Sequence, residues 1–177
     1  GALQTLNPST AGQEWWKSYT KDKGGKWGAD GDDFLDSIDE TLDEIELNSI
    51  GKIDLIYGWP LFSRQYKAVL EAKRQIVNTL EFKAGRKGIA HVNDDKEIAI
   101  LKDKYLPWHK VFFLDSSLLA IYTLDGIHWE EKGGLLKVLE MKDIYAAWLK
   151  LYSEFGTTTR NGHGIWTNTG TTVKDYS

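Results

Sequence analysis

The sequence predicts a compact α+β protein, and three observations support that fold class. The 177 residues are enough for one compact domain, or for two small lobes that share a core. Residues 32–47 and 60–80 have apolar side chains at helical spacing, and several short apolar runs bounded by turn residues are typical of strands. Apolar residues make up 41% of the chain and charged residues 27%, which is ordinary for a folded globular protein and excludes a disordered tail.

The first predicted helix, residues 32–47, is strongly acidic. Its apolar face is made by five residues at helical spacing, namely Phe34, Leu35, Ile38, Leu42 and Ile45. Asp32 or Asp33 can cap its start, and between Asp30 and Glu46 there are nine acidic residues and no lysine or arginine. A calcium-binding loop that starts at Asp30 is excluded, because it needs a carboxylate and a glycine where Phe34 and Leu35 stand. The acidic side is therefore a solvated face or a patch that meets a basic partner surface.

The second predicted helix follows a short strand and carries the opposite charge. Residues 53–57 are typical of a buried strand that ends at Gly58, and Pro60 suits the first turn of a helix that runs to about Leu80. Its apolar stripe comprises Phe62, Tyr66, Val69, Leu70, Ala72, Ile76, Val77 and Leu80. Residues 64–87 include seven basic residues and two glutamates, a net charge of +5. The opposed charges of the two helices either pair neighbouring copies of the chain or belong to two solvated faces.

Further strands are predicted downstream, at residues 89–92, 98–101, 110–115, 118–122 and 135–141. The first two flank a polar turn, Asn93-Asp94-Asp95, as in a hairpin. Residues 143–155 fit a helix or a strand, and residues 164–168 could pair with them as a final strand. Residues 1–31 show little clear periodicity.

The sequence contains no recognisable catalytic or metal-binding motif. The phosphate-binding loop GxxxxGK[ST] and the GxGxxG, HExxH and GxSxG motifs are absent, and with no cysteine there is no thiolate ligand or nucleophile. The nearest approach to a metal cluster is His91 with Asp94 and Asp95, but aspartate is expected in that turn for backbone reasons. An enzyme that uses His91 or His163 is the least favoured alternative, because neither has a neighbouring serine or paired carboxylate. No catalytic residue, metal ligand or cofactor is predicted.

Targeting and membrane signals are also absent from the sequence. No run of about 18 uncharged apolar residues is present, and the first residues lack the basic and apolar regions of a signal peptide. Together with the lack of cysteine, this predicts an intracellular protein that does not span a membrane.

Aromatic residues are unusually frequent, with 8 Trp, 8 Tyr and 6 Phe. Trp15, Trp16, Tyr19 and Trp27 alternate with lysines, a pattern that suits base stacking and phosphate contact in a nucleic-acid strip. A local core covered by lysine stems is favoured, because acidic neighbours dilute this charge and the whole chain has a net charge of −4. An aromatic-rich module for carbohydrate or single-stranded nucleic acid remains the alternative function. Its candidate residues are Trp15, Trp16, Trp27, Trp59, Trp108 and Trp129.

Several short motifs follow one another in a specific order along the chain. They are Leu6-Asn7-Pro8-Ser9-Thr10 with Trp15-Trp16, Ile53-Asp54-Leu55-Ile56-Tyr57-Gly58, Arg64-Gln65-Tyr66, Asp103-Lys104-Tyr105-Leu106-Pro107 with Val111-Phe112-Phe113-Leu114-Asp115, and Asp143-Ile144-Tyr145 with Arg160-Asn161-Gly162-His163-Gly164-Ile165. In this order they resemble the C-terminal part of tailed-phage major capsid proteins of the Hong Kong 97-type fold. The family's N-terminal arm, extended loop and spine helix, which precede the tryptophan pair, have no counterpart in the chain. The resemblance therefore implies a C-terminal portion or a processed form.

The resemblance implies an α+β Hong Kong 97-type fold built from two lobes. An axial-like lobe, residues 49–141, would be inserted between two segments of a peripheral-like lobe, residues 1–48 and 142–177, and residues 143–155 would form a long strand. The implied function is a non-enzymatic structural subunit of an icosahedral phage head, which assembles into pentamers and hexamers around double-stranded DNA. The implied partners are further copies of the chain, scaffold, portal and decoration proteins, and DNA held non-specifically, with no membrane and no cofactor. The implied location is the virion, assembled in the host cytoplasm.

Inter-subunit contacts are predicted from the opposed charges of the two helices. The candidate residues are Asp36, Asp39 and Asp43 on the acidic helix and Arg64, Lys67 and Arg74 on the basic one. Ionic contacts of this kind, repeated by symmetry, suit a shell subunit that acts through many modest interfaces. The net charge of −4 is consistent with a shell that holds DNA without binding it tightly.

Overall fold

A seven-stranded mixed sheet and two helices form the larger of two compact units in the chain. The structure is a computed structural model, and it describes residues 9–27, 34–72, 79–82, 86–93, 96–130, 137–138 and 145–170. The larger unit comprises Gly1–Leu118 and Thr159–Ser177, and the smaller unit comprises Leu119–Thr158.

The helices are α1 (Phe34–Asn48) and α2 (Pro60–Ala72), with short 3₁₀ turns at Glu14–Trp16, Ser116–Leu118 and Arg160–Gly162. The strands are β1 (Tyr19–Lys26), β2 (Leu55–Gly58), β3 (Thr79–Phe82), β4 (Arg86–Asn93), β5 (Lys96–Lys102), β6 (Val111–Leu114), β7 (Leu119–Thr123), β8 (His128–Trp129), β9 (Lys137–Val138), β10 (Tyr145–Ala146), β11 (Leu149–Lys150), β12 (Ser153–Thr157) and β13 (Gly164–Thr169). Strands β7 to β12 belong to the smaller unit.

The strand order in the large sheet is β1-β13-β6-β2-β5-β4-β3. The pairs β1–β13 and β2–β5 are parallel, and the other neighbouring pairs are antiparallel. At the centre, Ile56 of β2 lies between Ile100 of β5 and Phe113 of β6, and all three side chains are buried. Consecutive residues of β2 and β5 are buried, and because successive side chains point to opposite faces of the sheet, both faces are covered. Strands covered on both faces are short continuous apolar runs, as predicted for residues 53–57 and 98–101. The run predicted at residues 110–115 forms β6, in which buried and half-buried residues alternate.

Both predicted helices form and bury the predicted faces. The buried residues are Phe34, Ile38, Leu42 and Ile45 on α1 and Phe62, Tyr66, Val69 and Leu70 on α2. They pack with Trp27 and Trp166 into one core cluster, in which each large apolar side chain contributes about 1.5–3 kcal/mol by burial. Helix α2 starts at Pro60 as predicted, and the expected capping residues of α1, Asp32 and Asp33, lie outside the described residues.

The prediction that the second helix continues to Leu80 is wrong. Helix α2 ends at Ala72, and residues 79–82 form β3, which pairs antiparallel with β4 so that Thr79 lies opposite Ile89. The segment that follows α2 contains Ile76, Val77 and Thr79, whose branched side chains fit a strand at least as well as a helix. The hairpin ladder with β4 satisfies the backbone of residues 79–82, and this pairing decides between a helix and a strand at these residues.

The predicted pairing of the last strand is also wrong. β13 pairs with β1 and β6 rather than with residues 143–155. β1 itself was not predicted, because the sequence Tyr-Thr-Lys-Asp-Lys-Gly-Gly-Lys alternates too weakly to be recognised as a strand. It is an edge strand, for which polar and charged residues are common.

The smaller unit consists of three two-stranded ladders in its described residues. β7 pairs with β12, β8 with β11 and β9 with β10, all antiparallel. Residues 143–155 therefore contribute three short strands, β10, β11 and the start of β12, and not one long strand. A helix over these residues is also excluded wherever the structure describes them.

The two compact units do not follow the three segments that the resemblance implied. The units divide the chain after residues 118 and 158, whereas the implied lobes divide it after residues 48 and 141. The large sheet joins β1 and β13, from the two outer segments, to β2–β6 of the middle segment. The assignment of an axial-like and a peripheral-like lobe stays a prediction, since it refers to an axis of an assembly.

Candidate subunit interface

The predicted contact residues lie on the outer faces of α1 and α2. Asp36 and Asp43 are exposed on α1, and Arg64 and Lys67 are exposed on α2. Asp39 differs from them, because its Oδ1 accepts a hydrogen bond from His91 Nε2 at 2.9 Å. Arg74 lies outside the described residues. Four of the predicted residues are therefore accessible to a second copy, namely Asp36, Asp43, Arg64 and Lys67. The carboxylate of Asp39 already accepts a hydrogen bond within the chain.

His91 has a structural environment rather than a metal site. Its ring is buried, with Nε2 against Asp39 and Nδ1 at 2.9 Å from the hydroxyl of Tyr66. Because the Asp39 carboxylate only accepts, the neutral ring carries its proton on Nε2, and Nδ1 accepts from the Tyr66 hydroxyl. Burial raises the pKa of Tyr66 well above its usual value, and the charge of Asp39 raises it further. His91 thus ties α1, α2 and β4 together.

Metal binding by the hairpin turn has no support in the described residues. Asp94 and Asp95 lie outside them, and the described parts of the chain hold no group of three histidine or carboxylate side chains that could bind a metal ion. In the same residues, no helix is long and apolar enough to cross a membrane.

Most of the N-terminal aromatic segment belongs to the core. Trp16 and Trp27 are buried, and the ammonium group of Lys23 lies 4.5 Å from the ring centre of the buried Trp166. Lys21 forms an ion pair with Glu40 of α1. These contacts agree with the interpretation of a local core covered by lysine side chains. Lys21 and Lys23 both contact groups of the same chain, so their contacts do not favour the nucleic-acid strip.

A stack of three indole rings reaches the surface at Trp108. Trp27 and Trp59 have ring centres 6.2 Å apart and planes 20° apart, and Trp59 and Trp108 have centres 6.4 Å apart and planes 17° apart. Trp27 is buried, Trp59 is half-buried, and Trp108 is 75% exposed. Trp59 therefore packs against one face of the Trp108 ring, and the other face of that ring is exposed to solvent.

The smaller unit is notable for its exposed apolar side chains. None of its described side chains, in residues 119–130 and 146–158, is buried. Its exposed large apolar residues are Ile121, Tyr122, Leu124, Ile127, Trp129, Trp148, Leu149, Leu151, Tyr152 and Phe155. Ile121 and Phe155 lie opposite each other in the β7–β12 ladder, and they are 70% and 68% exposed. Tyr122, on the other face of the same ladder, is exposed as well.

A surface cavity of about 390 Å³ lies in the larger unit. It is bordered by the residues around Trp15 and Tyr19, by the last turn of α1 and by Asn161. These three parts are far apart in sequence, so no local sequence pattern indicates the cavity.

No protein-family model and no curated protein sequence matches the chain. Among solved structures, it is similar to the encapsulin in the cryo-electron microscopy structure of the holo-SrpI encapsulin complex from Synechococcus elongatus PCC 7942, with a TM-score of 0.60 and 12% sequence identity. The match covers 89% of this chain and 56% of the encapsulin chain, so the chain spans a little over half of that protein's length. That encapsulin is a shell protein with a Hong Kong 97-like capsid fold.

The chain has the Hong Kong 97-type capsid fold. The fold class that the resemblance implied is therefore confirmed. A fold shared at this level of identity carries no activity with it, because one fold supports many functions.

Sequence reasoning on this Hong Kong 97-type chain located four accessible charged residues but missed the exposed apolar surface of the smaller unit. One signal for that surface was present, since residues 119–129 and 145–155 are both rich in large apolar residues. Such runs are also typical of buried strands, and the sequence does not show whether other parts of the same chain cover them.

Proposed function

We propose that this chain is a structural subunit that assembles with copies of itself into a closed shell. The observation that carries the proposal is the exposed apolar surface of the smaller unit. An isolated two-stranded ladder is at best marginally stable in water, and contiguous exposed apolar surface marks an interaction site. The Ile121–Phe155 pair and Tyr122 expose apolar groups on both faces of the β7–β12 ladder. Burial against other copies would remove both faces from water, and the fold shared with an encapsulin shell protein supports such an assembly.

The more specific form of the proposal is a phage head. In that form the chain builds pentamers and hexamers around double-stranded DNA in a virion, with scaffold, portal and decoration proteins as partners. The ordered motifs between residues 6 and 165 support it, as does a net charge of −4, which limits sticking to DNA. A shell of this kind acts through contact surfaces and needs no catalytic residue.

Ionic contacts between α1 and α2 of neighbouring copies form the electrostatic part of the proposal. Asp36 and Asp43 would face Arg64 and Lys67 of another copy. Single exposed ion pairs contribute only about 0–1 kcal/mol, so these contacts would set orientation while apolar burial supplies most of the association energy.

Sedimentation velocity with electron imaging, on protein from its native source, tests the proposal directly. Shells, or rings of five or six copies, are expected, and a 20.1 kDa monomer at all concentrations would overturn it. The ratio of absorbance at 260 and 280 nm of purified shells then separates a DNA-filled head from a shell without nucleic acid.

Two double variants separate the apolar contribution to assembly from the ionic contribution. Ile121→Ser with Phe155→Ser should abolish assembly, whereas Val92→Ser, at an exposed apolar position in the larger unit, should leave it intact. Asp36→Lys with Asp43→Lys should slow assembly most at low salt, because salt screens exposed charges. Asp39 is left unchanged, since it accepts the hydrogen bond from His91. Unchanged assembly by both double variants, with unchanged circular dichroism, would contradict these contacts.

The indole stack supports a second candidate function, an aromatic binding module. Trp108 presents an open ring face that is backed by Trp59, and Trp15 and Trp129 are also exposed. Rings of this kind bind sugars or single-stranded bases by stacking. Tryptophan fluorescence titrations of the wild type and of Trp108→Ala, with oligosaccharides and oligonucleotides, test it, and a flat response to both panels excludes it.

A further inference from the structure

The three ladders of the smaller unit are nested in the order of a single long hairpin. The pairs are β7 with β12, β8 with β11 and β9 with β10. The chain therefore runs outward through β7, β8 and β9 and returns through β10, β11 and β12. Among the described residues each of these strands has one neighbour, so each keeps an edge that is not paired.

The unpaired edge of β7 presents the backbone groups of Leu119, Ile121 and Thr123. In the ladder with β12, the Leu124 N–H donates to the Tyr152 carbonyl oxygen at 3.1 Å. Residues of an antiparallel strand alternate between bonding to the partner strand and pointing away from it. Counting back from Leu124, every second residue bonds toward β12. Leu119, Ile121 and Thr123 therefore direct their N–H and C=O groups away from β12.

This edge lacks the features that protect an edge strand from pairing. Charged residues and glycines discourage pairing at the edge of a sheet. Strands β1, β3 and β12 each lie at an edge and contain a charged residue, and β1 and β12 also contain glycine. The sequence of β7, Leu-Ala-Ile-Tyr-Thr, contains neither. Among the described edge strands of more than two residues, β7 is therefore the one best suited to pair with another strand.

The largest side chain of β7 does not cover this edge. A β-carbon added at Gly156 of β12 would lie 3.1 Å from the Tyr122 Cε2, so the Tyr122 ring leans over β12 and away from the unpaired edge. Ile121 points to the opposite face of the ladder, where it lies beside Phe155 and is exposed.

We propose that β7 pairs edge to edge with β7 of a second copy of the chain, antiparallel and about a two-fold axis, with Ile121 opposite Ile121 of that copy. The inference rests on the proposed function and names one contact that such a shell would use. In this register Leu119 lies opposite Thr123 of the second copy. The outward N–H and C=O groups of the three residues then all find partners, which gives about six hydrogen bonds between the copies.

A second β7 is the occupant because an antiparallel edge is complementary to itself. A two-fold axis perpendicular to the sheet keeps the faces in common, so Ile121 and Phe155 of both copies form one apolar row across four strands. Residues 116–124 carry no charge, so the copies meet there without repulsion although the chain has a net charge of −4. A four-stranded sheet with an apolar face also replaces a two-stranded ladder, which is marginally stable alone.

The exposed apolar area is large enough for such a contact. The exposed parts of Ile121, Tyr122, Leu124 and Phe155 amount to roughly 500 Å² per copy, at about 150–250 Å² for a large side chain. Two copies thus offer about 1,000 Å², the area at which specific interfaces begin.

Single introduced cysteines report the pairing directly, because the chain has no cysteine of its own. Ile121→Cys should form disulfide-linked dimers under mild oxidation, since opposed residues of a hydrogen-bonded pair have Cα atoms about 5.5 Å apart, within disulfide range. Leu124→Cys is the matched control at another exposed apolar position of the same segment. Its two copies would lie about 20 Å apart along the strands, so it should cross-link at least tenfold more slowly.

A mixture of variants tests the register, and a proline tests the hydrogen bonds. Leu119→Cys alone and Thr123→Cys alone should cross-link slowly, whereas an equal mixture of the two, combined before assembly, should form heterodimers at least tenfold faster. Thr123→Pro removes an N–H that points away from β12, so it should spare the β7–β12 ladder and weaken association about tenfold or more in sedimentation velocity. Thr123→Val keeps that N–H and should associate like the wild type.

Each contrary result has a distinct meaning. If the wild type forms shells but Ile121→Cys cross-links no faster than Leu124→Cys, the pairing is wrong while the shell function stands. If the wild type forms dimers that cross-link at position 121 and nothing larger, the pairing stands and the shell function is wrong. A wild type that is monomeric at all concentrations overturns both. Faster cross-linking of Ser153→Cys than of Ile121→Cys would place the contact on β12 and overturn the choice of β7.

Discussion

The hydrogen bond between Trp166 and Thr41 fastens the acidic helix to the large sheet, and its removal has a calculable cost. Trp166 on β13 is fully buried, and its Nε1 donates to the Thr41 Oγ1 of α1 at 2.9 Å. The Thr41 hydroxyl donates in turn to the carbonyl oxygen of Ser37 at 2.9 Å. The bond therefore joins two elements that are 125 residues apart in sequence.

Two single substitutions and their combination isolate this bond. Trp166→Phe keeps most of the apolar contact with Phe113, whose ring centre is 5.1 Å away, and we expect a loss of about 2 kcal/mol, below the 3–5 kcal/mol of a large-to-alanine change. Thr41→Val keeps the volume but leaves the indole N–H buried without an acceptor, which costs about 1–3 kcal/mol. The double variant has no orphaned donor, so it should be about 1 kcal/mol more stable than the sum of the single losses predicts.

Urea unfolding measures these free energies, with far-UV circular dichroism as the signal because Trp166 itself contributes to the fluorescence. The slope of free energy against urea should be the same in all four proteins, so that the midpoints are comparable. Additivity of Trp166→Phe and Thr41→Val within about 0.3 kcal/mol would refute the bond as an energetic link. A Thr41→Val protein as stable as the wild type would refute it as well.

Three further predictions concern other buried contacts. Gly51→Ala should cost about 2–4 kcal/mol, because a β-carbon there would lie 2.6 Å from the Cα of Gly162, whereas Gly162→Ala mainly meets the movable end of a leucine side chain and should cost less. Burial lowers the pKa of His163 despite the nearby charge of Asp115, so the folded chain binds its proton less readily than the unfolded chain does. Stability should therefore decline as the pH falls below about 6.5, and His163→Asn should flatten that decline. Tyr66→Phe removes the donor to a buried histidine nitrogen and should cost about 1–2 kcal/mol in urea unfolding.

A control variant or a contrary result accompanies each of these three predictions. Gly126→Ala meets no neighbouring atom and its φ lies outside the left-handed region, so it gives the effect of an added methyl group without a clash or strain and is the matched control for Gly51→Ala. Tyr105→Phe, at an exposed tyrosine, should leave stability unchanged and so matches Tyr66→Phe. An equal loss for Gly51→Ala and Gly162→Ala would contradict the close backbone approach. An unchanged pH profile for His163→Asn would assign the acid sensitivity to other groups.

Local sequence patterns were sufficient where a segment's own residues decide its structure. The apolar spacing in residues 34–45 and the proline at position 60 predicted both helices, because side-chain periodicity and a fixed φ act within one turn. The apolar runs at residues 53–57, 98–101 and 110–115 predicted central strands, and in the first two burial on both faces requires such composition. The Hong Kong 97-type fold was implied by the order of motifs along the whole chain, which no single segment contains.

The candidate site could be predicted only in part. The exposed charges at Asp36, Asp43, Arg64 and Lys67 follow from helical faces, which the sequence defines. The hydrogen bond of Asp39 does not follow from the sequence, because its partner His91 is 52 residues away. The two side chains meet only because the fold packs β4, which carries His91, near α1. The assignment of these residues to inter-subunit contacts stays a prediction, and the Asp39 carboxylate already accepts a hydrogen bond within the chain.

By itself, the sequence determined the two helices, the central strands, the charge of each helix and the lack of a recognised catalytic motif. These properties depend on residues within a few positions of one another, or on composition alone. Only the tertiary structure decided the strand order, the fate of residues 79–82, the cavity beside α1 and the exposure of the smaller unit. Each of these depends on which strands pair and which apolar faces are covered, and strand pairing joins separate elements, so the propensity of one segment does not specify it.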